Sequence, residues 1–363
     1  MNTKIFIPRA LKTEGIEEHV EKWTSPSNIA LIKYWGKVEP QIPSNPSISF
    51  TLKNCFTETE IKFVKKTDSS NDIEFDLYFE GEKNESFSKK VAEFFENIKV
   101  YTPYTKMYKM IINTTNSFPH SSGIASSASG FSALAVCLVA FERVVNPDIM
   151  ERVAEQKASF LARLGSGSAC RSVEGPLMIW GRHEDYRLSS DEVAVVPDLE
   201  LNSVFEGFQD TVLLIDKGVK SISSTIGHGL MNGHPFAEQR FRQANEHISE
   251  MKQVLEKGDL KRFGEILESE ALTLHAMMMT STPYYILMKA NTVEVIQKVT
   301  EYRTATGNNL FFTLDAGANV HLLYPKSEAK EILSFIEKEL VVYCENQQYI
   351  CDELGEGAQR VIS

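Results

Sequence analysis

Four stretches of this sequence carry chemically capable side chains that their local pattern does not require. SSGIASSASG packs five serines and two glycines into ten residues immediately ahead of an Ala/Leu/Val-rich helix pattern. Glycine lets backbone N–H groups come close to a ligand, serine hydroxyls add donors, and the start of a helix contributes a positive dipole end. Ser121, Ser122, Gly123, Ser126 and Ser127 are therefore candidates for a phosphate cradle; a Ser/Gly linker capping a core helix has the same composition. GSGSACRS is a second small-residue turn, in which Ser166 and Ser168 precede Arg171. A guanidinium matches a carboxylate or phosphate with two parallel hydrogen bonds. The bland alternative there is a helix C-terminus followed by a surface arginine.

LIKYWGK sets Lys33 and Lys37 around Tyr34 and Trp35 in otherwise apolar sequence. Buried ammonium groups are costly unless an anion pairs with them, so a polyanionic ligand would account for both. Lysines snorkelling over an aromatic surface would account for them too. FFTLDAG runs an apolar strand straight into Asp315 with small residues behind it. A carboxylate with that much room suits a general base or a metal ligand, and an Asx turn at a strand exit gives the same pattern. The hydrolase elbow GxSxG, the Walker GxxxxGK[ST] loop and GxGxxG do not occur, nor do CxxC or HExxH. No dedicated protein metal site is expected.

The elements that must position these groups alternate without a regular βαβα rhythm, which predicts an α+β fold in two lobes. Period-two patterns predict strands at TETEIKFVKK, DIEFDLYFEG and KMYKMIINTTN. Helical spacing predicts helices at SFSKKVAEFFENIKV, after the serine loop, at PDIMERVAEQKASFLARL, and at about 236–256, 259–279, 284–301 and 327–339. PLMIW, DTVLLID, NLFFTLDAG and NVHLLYP read as strands. The polar, turn-rich SSDEVAVVPDLELNS places a boundary near 205, giving an extension at 1–22 and lobes at 23–205 and 206–363.

With 363 residues, 42% hydrophobic, the chain has material for two lobes. Its 38 Lys and Arg against 49 Asp and Glu give a net charge of −11, the wrong sign for general nucleic-acid or anionic-membrane binding. No apolar run comes near the roughly 20 residues that span a bilayer, and the start has no cleavable-signal pattern. Five scattered cysteines fit a reducing cytoplasm better than a disulfide frame.

SPSNIALIKYWGK, NPSISFTL, FPHSSGIASSASGFSALA, GSGSACRS, SSTIG and LDAGANVHLLYP, in this order and spacing, resemble the GHMP small-molecule kinase superfamily and, within it, the mevalonate diphosphate decarboxylase family. The likeness runs from about Trp23 to Tyr324. It implies an N-terminal lobe like ribosomal protein S5 domain 2, a ferredoxin-like C-terminal lobe and an active cleft between them. It further implies ATP-dependent decarboxylation of mevalonate 5-diphosphate to isopentenyl diphosphate, CO2, ADP and phosphate. On this resemblance Asp315 faces the tertiary hydroxyl, and Arg171 with Ser166 and Ser168 holds the carboxylate. Tyr34 and Lys37 hold the distal diphosphate, Ser224 adds a polar contact, and Ser121 through Ser127 cradle the ATP phosphates. Mg2+ is expected as a charge neutraliser with few protein ligands, the adenine around 88–106, and the resemblance allows a homodimer. The sequence departs from the family pattern at His120 and Ser121, at Pro46, at Ala318 and in GPLMIW. A phosphomevalonate decarboxylase giving isopentenyl phosphate, and a non-catalytic binding protein of the same fold, stay open as alternatives.

Overall fold

Two strands are long enough to serve two environments, and they build the frame. β1 (Glu18–Ile32) and β4 (Ser47–Lys65) pair antiparallel, with Trp23 opposite Thr59 and Ile29 opposite Phe50. In the outer half of β4, from Cys55, buried and less buried residues alternate, as expected of a sheet with one face toward solvent. The inner halves, 25–32 and 47–52, are buried on both faces. That double burial explains why SPSNIALI and SISFTL read as near-continuous apolar runs.

The computed structural model describes residues 2–67, 70–119, 124–218 and 224–362, apart from the side chains of Ser224 and Thr225. In the N-terminal lobe, β1 and β4 are joined by β7 (Tyr108–Asn116), β5 (Phe75–Phe79) and β6 (Glu82–Lys83), with β8 (Leu177–Trp180) on the inner end of β4. β13 (Gln359–Arg360) brings the end of the chain back to β1. α1 (Glu85–Ile98), α2 (Ser126–Val145) and α3 (Glu151–Gly165) cover one face, and α2 packs against β1, β4 and α3. α1 begins at an Asn84 cap that accepts the Phe87 N–H.

The C-terminal lobe is a four-stranded antiparallel sheet in the order β10 (Phe311–Thr313), β11 (Val320–Tyr324), β9 (Gln209–Leu213), β12 (Tyr349–Glu353). α4 (Ser224–Gly229), α5 (Ala237–Lys257), α6 (Leu260–Thr280), α7 (Ala290–Thr306) and α8 (Ala329–Phe335) complete it. The lobes share one core, in which Phe50 of β4 meets Phe205, Phe208 and Phe263. They are also latched by Asp352, whose carboxylate accepts the backbone N–H groups of Lys53, Asn54 and Cys55 at 3.0, 2.8 and 2.7 Å.

Several sequence expectations change. β1 starts at Glu18 and Phe6 is buried against Phe160, so residues ahead of Trp23 join the N-terminal lobe. The helix expected from 284 begins at Ala290, because Tyr284 to Leu287 alternate between exposed and buried with period two, the signature of extended chain. The helix expected over 327–339 divides into α8 and a wider turn at Ile336–Leu340. α2 has the length and apolar composition of a membrane-crossing helix, which the sequence reading missed, yet it is the buried core helix of its lobe. All five cysteines are free, and Cys351 alone among them is exposed.

Candidate active site

The inner end of β1 and the segment after it, one side of α1, the start of α2, the turn after α3 and the segment just past β10 converge on one cleft of about 690 Å³. Tyr34, Lys37, Ser126, Ser127, Ser166, Ser168, Arg171 and Asp315 all line it. Ser121, Ser122 and Gly123 lie outside the described residues, as does the side chain of Ser224, whose backbone opens α4. The two serine loops meet: the Ser127 and Ser166 hydroxyls are 3.3 Å apart. No side chain caps the N-terminus of α2, and Ala125 before it sits at φ 39 in the left-handed region. Among the described residues no side chain is therefore seen to accept the first amides of α2.

Asp315 stands just past β10, at the expected strand exit, with its side chain partly open to the cleft. Its partner is Lys33, whose Nζ lies 2.9 Å from Oδ1 and whose side chain is only 2% exposed. The anion that permits this buried lysine is therefore a protein carboxylate, not the ligand that its sequence context suggested. Lys33 is itself fixed by a buried ion pair. Arg240 grips Glu270 with two bonds of 2.8 and 2.6 Å, Glu270 accepts the Lys33 N–H at 2.9 Å, and Arg240 donates to the Lys33 carbonyl at 2.9 Å. Burial alone would raise the Glu270 carboxyl pKa, but Arg240, His247 and the Lys33 amide together hold it down to about 2.

His275 bonds the Asp315 carbonyl through Nε2 at 3.1 Å. Burial, more than any charge, lowers its pKa to about 4, so the ring is neutral and donates this bond. A depressed histidine pKa has a stability consequence with a definite sign. Between pH 6.5 and about 4 the unfolded chain binds a proton here that the folded chain does not, so this residue's contribution to stability falls as the pH falls. The stability deficit of His275→Gln relative to the parent is therefore expected to be largest above pH 6.5 and to narrow toward pH 4. Thermal melts of both proteins across that range check it, and a deficit independent of pH contradicts it.

Arg171 is buried in the 3-10 turn Gly167–Ser172 and is no surface arginine. It donates through Nη1 to the Ser47 hydroxyl and through Nη2 to Asn28 Oδ1, 3.3 Å away. Its Nε has no hydrogen-bond partner among the described residues. Burial lowers its pKa, partly offset by the field of nearby groups that include Asp315. Asn28 in turn donates to the Ser168 carbonyl and the Ser172 hydroxyl, at 3.2 and 2.8 Å, so β1 and the serine turn hold the guanidinium between them. A buried arginine with an unsatisfied N–H, at a cleft wall, has the chemistry to take a ligand anion.

A second donor group packs against the same turn, close to Gly167. The Tyr34 hydroxyl is buried without a partner among the described residues, and burial pushes its pKa well above the usual tyrosine range. Its ring packs on Trp180 and His228, centroids 4.6 and 4.2 Å away. His228 accepts the Gly36 N–H on Nδ1 at 3.0 Å. Burial first, then the Lys37 charge, lowers its pKa to about 3, so its one proton sits on Nε2. Lys37 contacts Glu39 and Gln41, each at 3.0 Å.

Sequence reasoning missed Asn28, Gln41 and His228, which also line the cleft, as do Lys90, Glu93 and Asn97 from the 88–106 segment expected near the adenine. It flagged the charge of Lys33 but assigned it no role. Among the described residues no cluster of three His, Cys, Asp or Glu side chains could cage a metal ion. A smaller hollow of about 380 Å³ adjoins the cleft, lined by Ile73, Phe75, Ala92 and Phe95 and sharing Glu93 and Asn97 with it.

Comparison with known proteins shows the family and the fold. Residues 25–194 match the diphosphomevalonate decarboxylase-like N-terminal domain, and residues 211–360 the mevalonate 5-diphosphate decarboxylase C-terminal domain. The diphosphomevalonate decarboxylases of Debaryomyces hansenii and Saccharomyces cerevisiae are 25% and 26% identical to this chain, covering 87% of it and 82% and 80% of their own lengths. Among solved structures, mevalonate diphosphate decarboxylase from Staphylococcus aureus superposes with a TM-score of 0.80 at 29% identity, covering 95% of this chain and 98% of its own. MDDEF in complex with MVAPP, AMPPCP and magnesium gives a TM-score of 0.80 at 27% identity, covering 95% of this chain and 100% of its own.

Proposed function

Because this chain belongs to the mevalonate diphosphate decarboxylase family, a family of ATP-dependent decarboxylases, we propose that its substrate is mevalonate 5-diphosphate and its product isopentenyl diphosphate, formed with CO2, ADP and phosphate. The observation that carries this reading is the placement of the Lys33-paired Asp315 carboxylate and the half-satisfied Arg171 guanidinium on the walls of one cleft. A tertiary hydroxyl is a poor leaving group, and ATP with Mg2+ supplies the phosphoryl group that makes it a good one.

Asp315 orients the substrate's C3 hydroxyl and accepts its proton as phosphorylation proceeds. Lys33 holds that carboxylate in place and offers a fixed positive charge where negative charge gathers during transfer. Arg171, with Ser166 and Ser168, binds the substrate carboxylate and sets the C–C bond in line with the leaving phosphate. When that phosphate departs, the C–C electrons form the new double bond and CO2 is released. Tyr34 and Lys37 hold the phosphorylated tail, with a further contact proposed for Ser224. Ser126 and Ser127 at the start of α2, together with Ser121, Ser122 and Gly123, take the nucleotide phosphates. The hollow lined by Ile73, Phe75, Ala92 and Phe95 together with Glu93, Glu96 and Asn97 suits the adenine, on α1 as the 88–106 assignment requires. A cytoplasmic site of action belongs to the same reading, and five free thiols suit a reducing compartment.

Incubation with ATP, Mg2+ and either the mono- or the diphosphorylated acid, followed by mass spectrometry, tests this substrate. Isopentenyl diphosphate from the diphosphate alone is expected. Turnover of the monophosphate alone, giving isopentenyl phosphate, would replace the reading, and turnover of neither would make the chain a binding protein.

A further inference from the structure

The hairpin β2 (Lys37–Val38) to β3 (Ile42–Pro43) does more than present Lys37. Gln41, at its tip, lines the cleft while its backbone sits at φ 59, a left-handed conformation that a residue other than glycine adopts at a cost. What holds it there is Arg163, a side chain only 1% exposed. The Arg163 Nη1 donates to the carbonyls of Pro40 and Gln41 at 2.6 and 3.0 Å. Its Nε and Nη2 are anchored on Glu192, at 2.9 and 2.7 Å. A buried guanidinium is thus spent on pinning two carbonyls of a surface hairpin in a strained shape. Strain maintained in this way at a cleft wall points to a function.

The side chain shows which function. Lys37 Nζ donates to Gln41 Oε1 at 3.0 Å, and an ammonium can only donate, so the amide orientation is fixed. The Gln41 NH2 group is therefore the free end, and it stands beside an ammonium as a pair of adjoining anion donors. Glu39, 74% exposed, currently places its carboxylate 3.0 Å from Lys37. It occupies the position an anionic oxygen of a ligand would take, on an arm free to swing into solvent.

The geometry points to Gln41 as a specificity-determining residue: its amide N–H groups, held by Arg163 and aligned by Lys37, bind the terminal phosphoryl group of the substrate tail, which displaces Glu39. This rests on the reading that the phosphorylated tail lies at Lys37. It adds the residue that distinguishes a diphosphate from a monophosphate, since the shorter tail leaves Lys37 with Glu39.

Gln41→Gly tests it cleanly, because glycine accepts φ 59 without strain and the fold should be kept or stabilised. The dissociation constant of mevalonate diphosphate, measured by calorimetry without nucleotide, is expected to weaken about tenfold, the scale of one hydrogen bond to a charged group. The KM for the diphosphate should rise similarly, with kcat within about twofold and the KM for ATP unchanged. Arg163→Lys, which keeps the charge but cannot hold both carbonyls and Glu192 at once, should reproduce the KM effect in part. Unchanged diphosphate affinity in Gln41→Gly would overturn the assignment, as would an equal loss of affinity for the monophosphate. Wild-type turnover is scored separately: a wild type that binds the diphosphate without converting it refutes the proposed reaction and leaves the Gln41 result to stand on binding alone.

Discussion

Asp315→Asn is expected to lower kcat by about 10³-fold, within the range that a positioned proton acceptor contributes, while the KM for ATP changes little. The amide keeps an oxygen for Lys33 Nζ, now 2.9 Å from Oδ1, so the local geometry persists. It cannot take the hydroxyl proton. The substitution also removes the counter-charge of an almost fully buried lysine, so a measurable fall in Tm should accompany the loss of turnover. Two separate readouts keep these effects apart: nucleotide binding by calorimetry reports the fold of the site, and steady-state turnover reports the chemistry. Ordinary turnover in this variant would remove Asp315 from its role.

Arg171→Lys is expected to cost about 10²-fold in product formation, the scale of losing one preorganised charged donor. The arginine spans Ser47 and Asn28 and still has Nε to offer, which a single ammonium cannot match. Because Arg171 acts on the carboxylate rather than on the hydroxyl, the losses should be uneven. Phosphoryl transfer, read as ADP release, should fall less than CO2 release, so the two lose their coupling. Equal small losses in both would mean that the carboxylate is held elsewhere.

The parts of this site that the sequence made legible are those written in short contiguous segments. Arg171 with its two serines, the strand that ends at Asp315, and the aromatic pair between Lys33 and Lys37 each declare themselves within a dozen residues. Their convergence was not legible from patterning, because it depends on inner strand halves buried on both faces and on the contact of Lys33, just past β1, with Asp315, just past β10. The Arg240–Glu270 pair that holds Lys33 joins residues 30 positions apart on two helices, and each side chain alone reads as surface charge. Its partner His247, two turns along α5 from Arg240, was the available hint. The start of α7 was misplaced because Tyr284 to Leu287 are apolar enough to extend a helical pattern, while their alternation is that of extended chain. His228 and Gln41 gave no signal beyond their position near a motif. Their roles come from a tautomer and a backbone angle, which only coordinates reveal.

All of this depends on one cavity performing two consecutive steps on one substrate, phosphorylation at C3 and loss of the adjacent carboxylate. The direct measurement is the ratio of CO2 to ADP released when mevalonate diphosphate labelled at its carboxyl carbon is turned over by the wild-type protein with ATP and Mg2+. A ratio of about one, unchanged across substrate concentrations, is expected of a cleft where Asp315 and Arg171 act in sequence. ADP release with no labelled CO2 would show a kinase that stops after the first step, and would contradict the account.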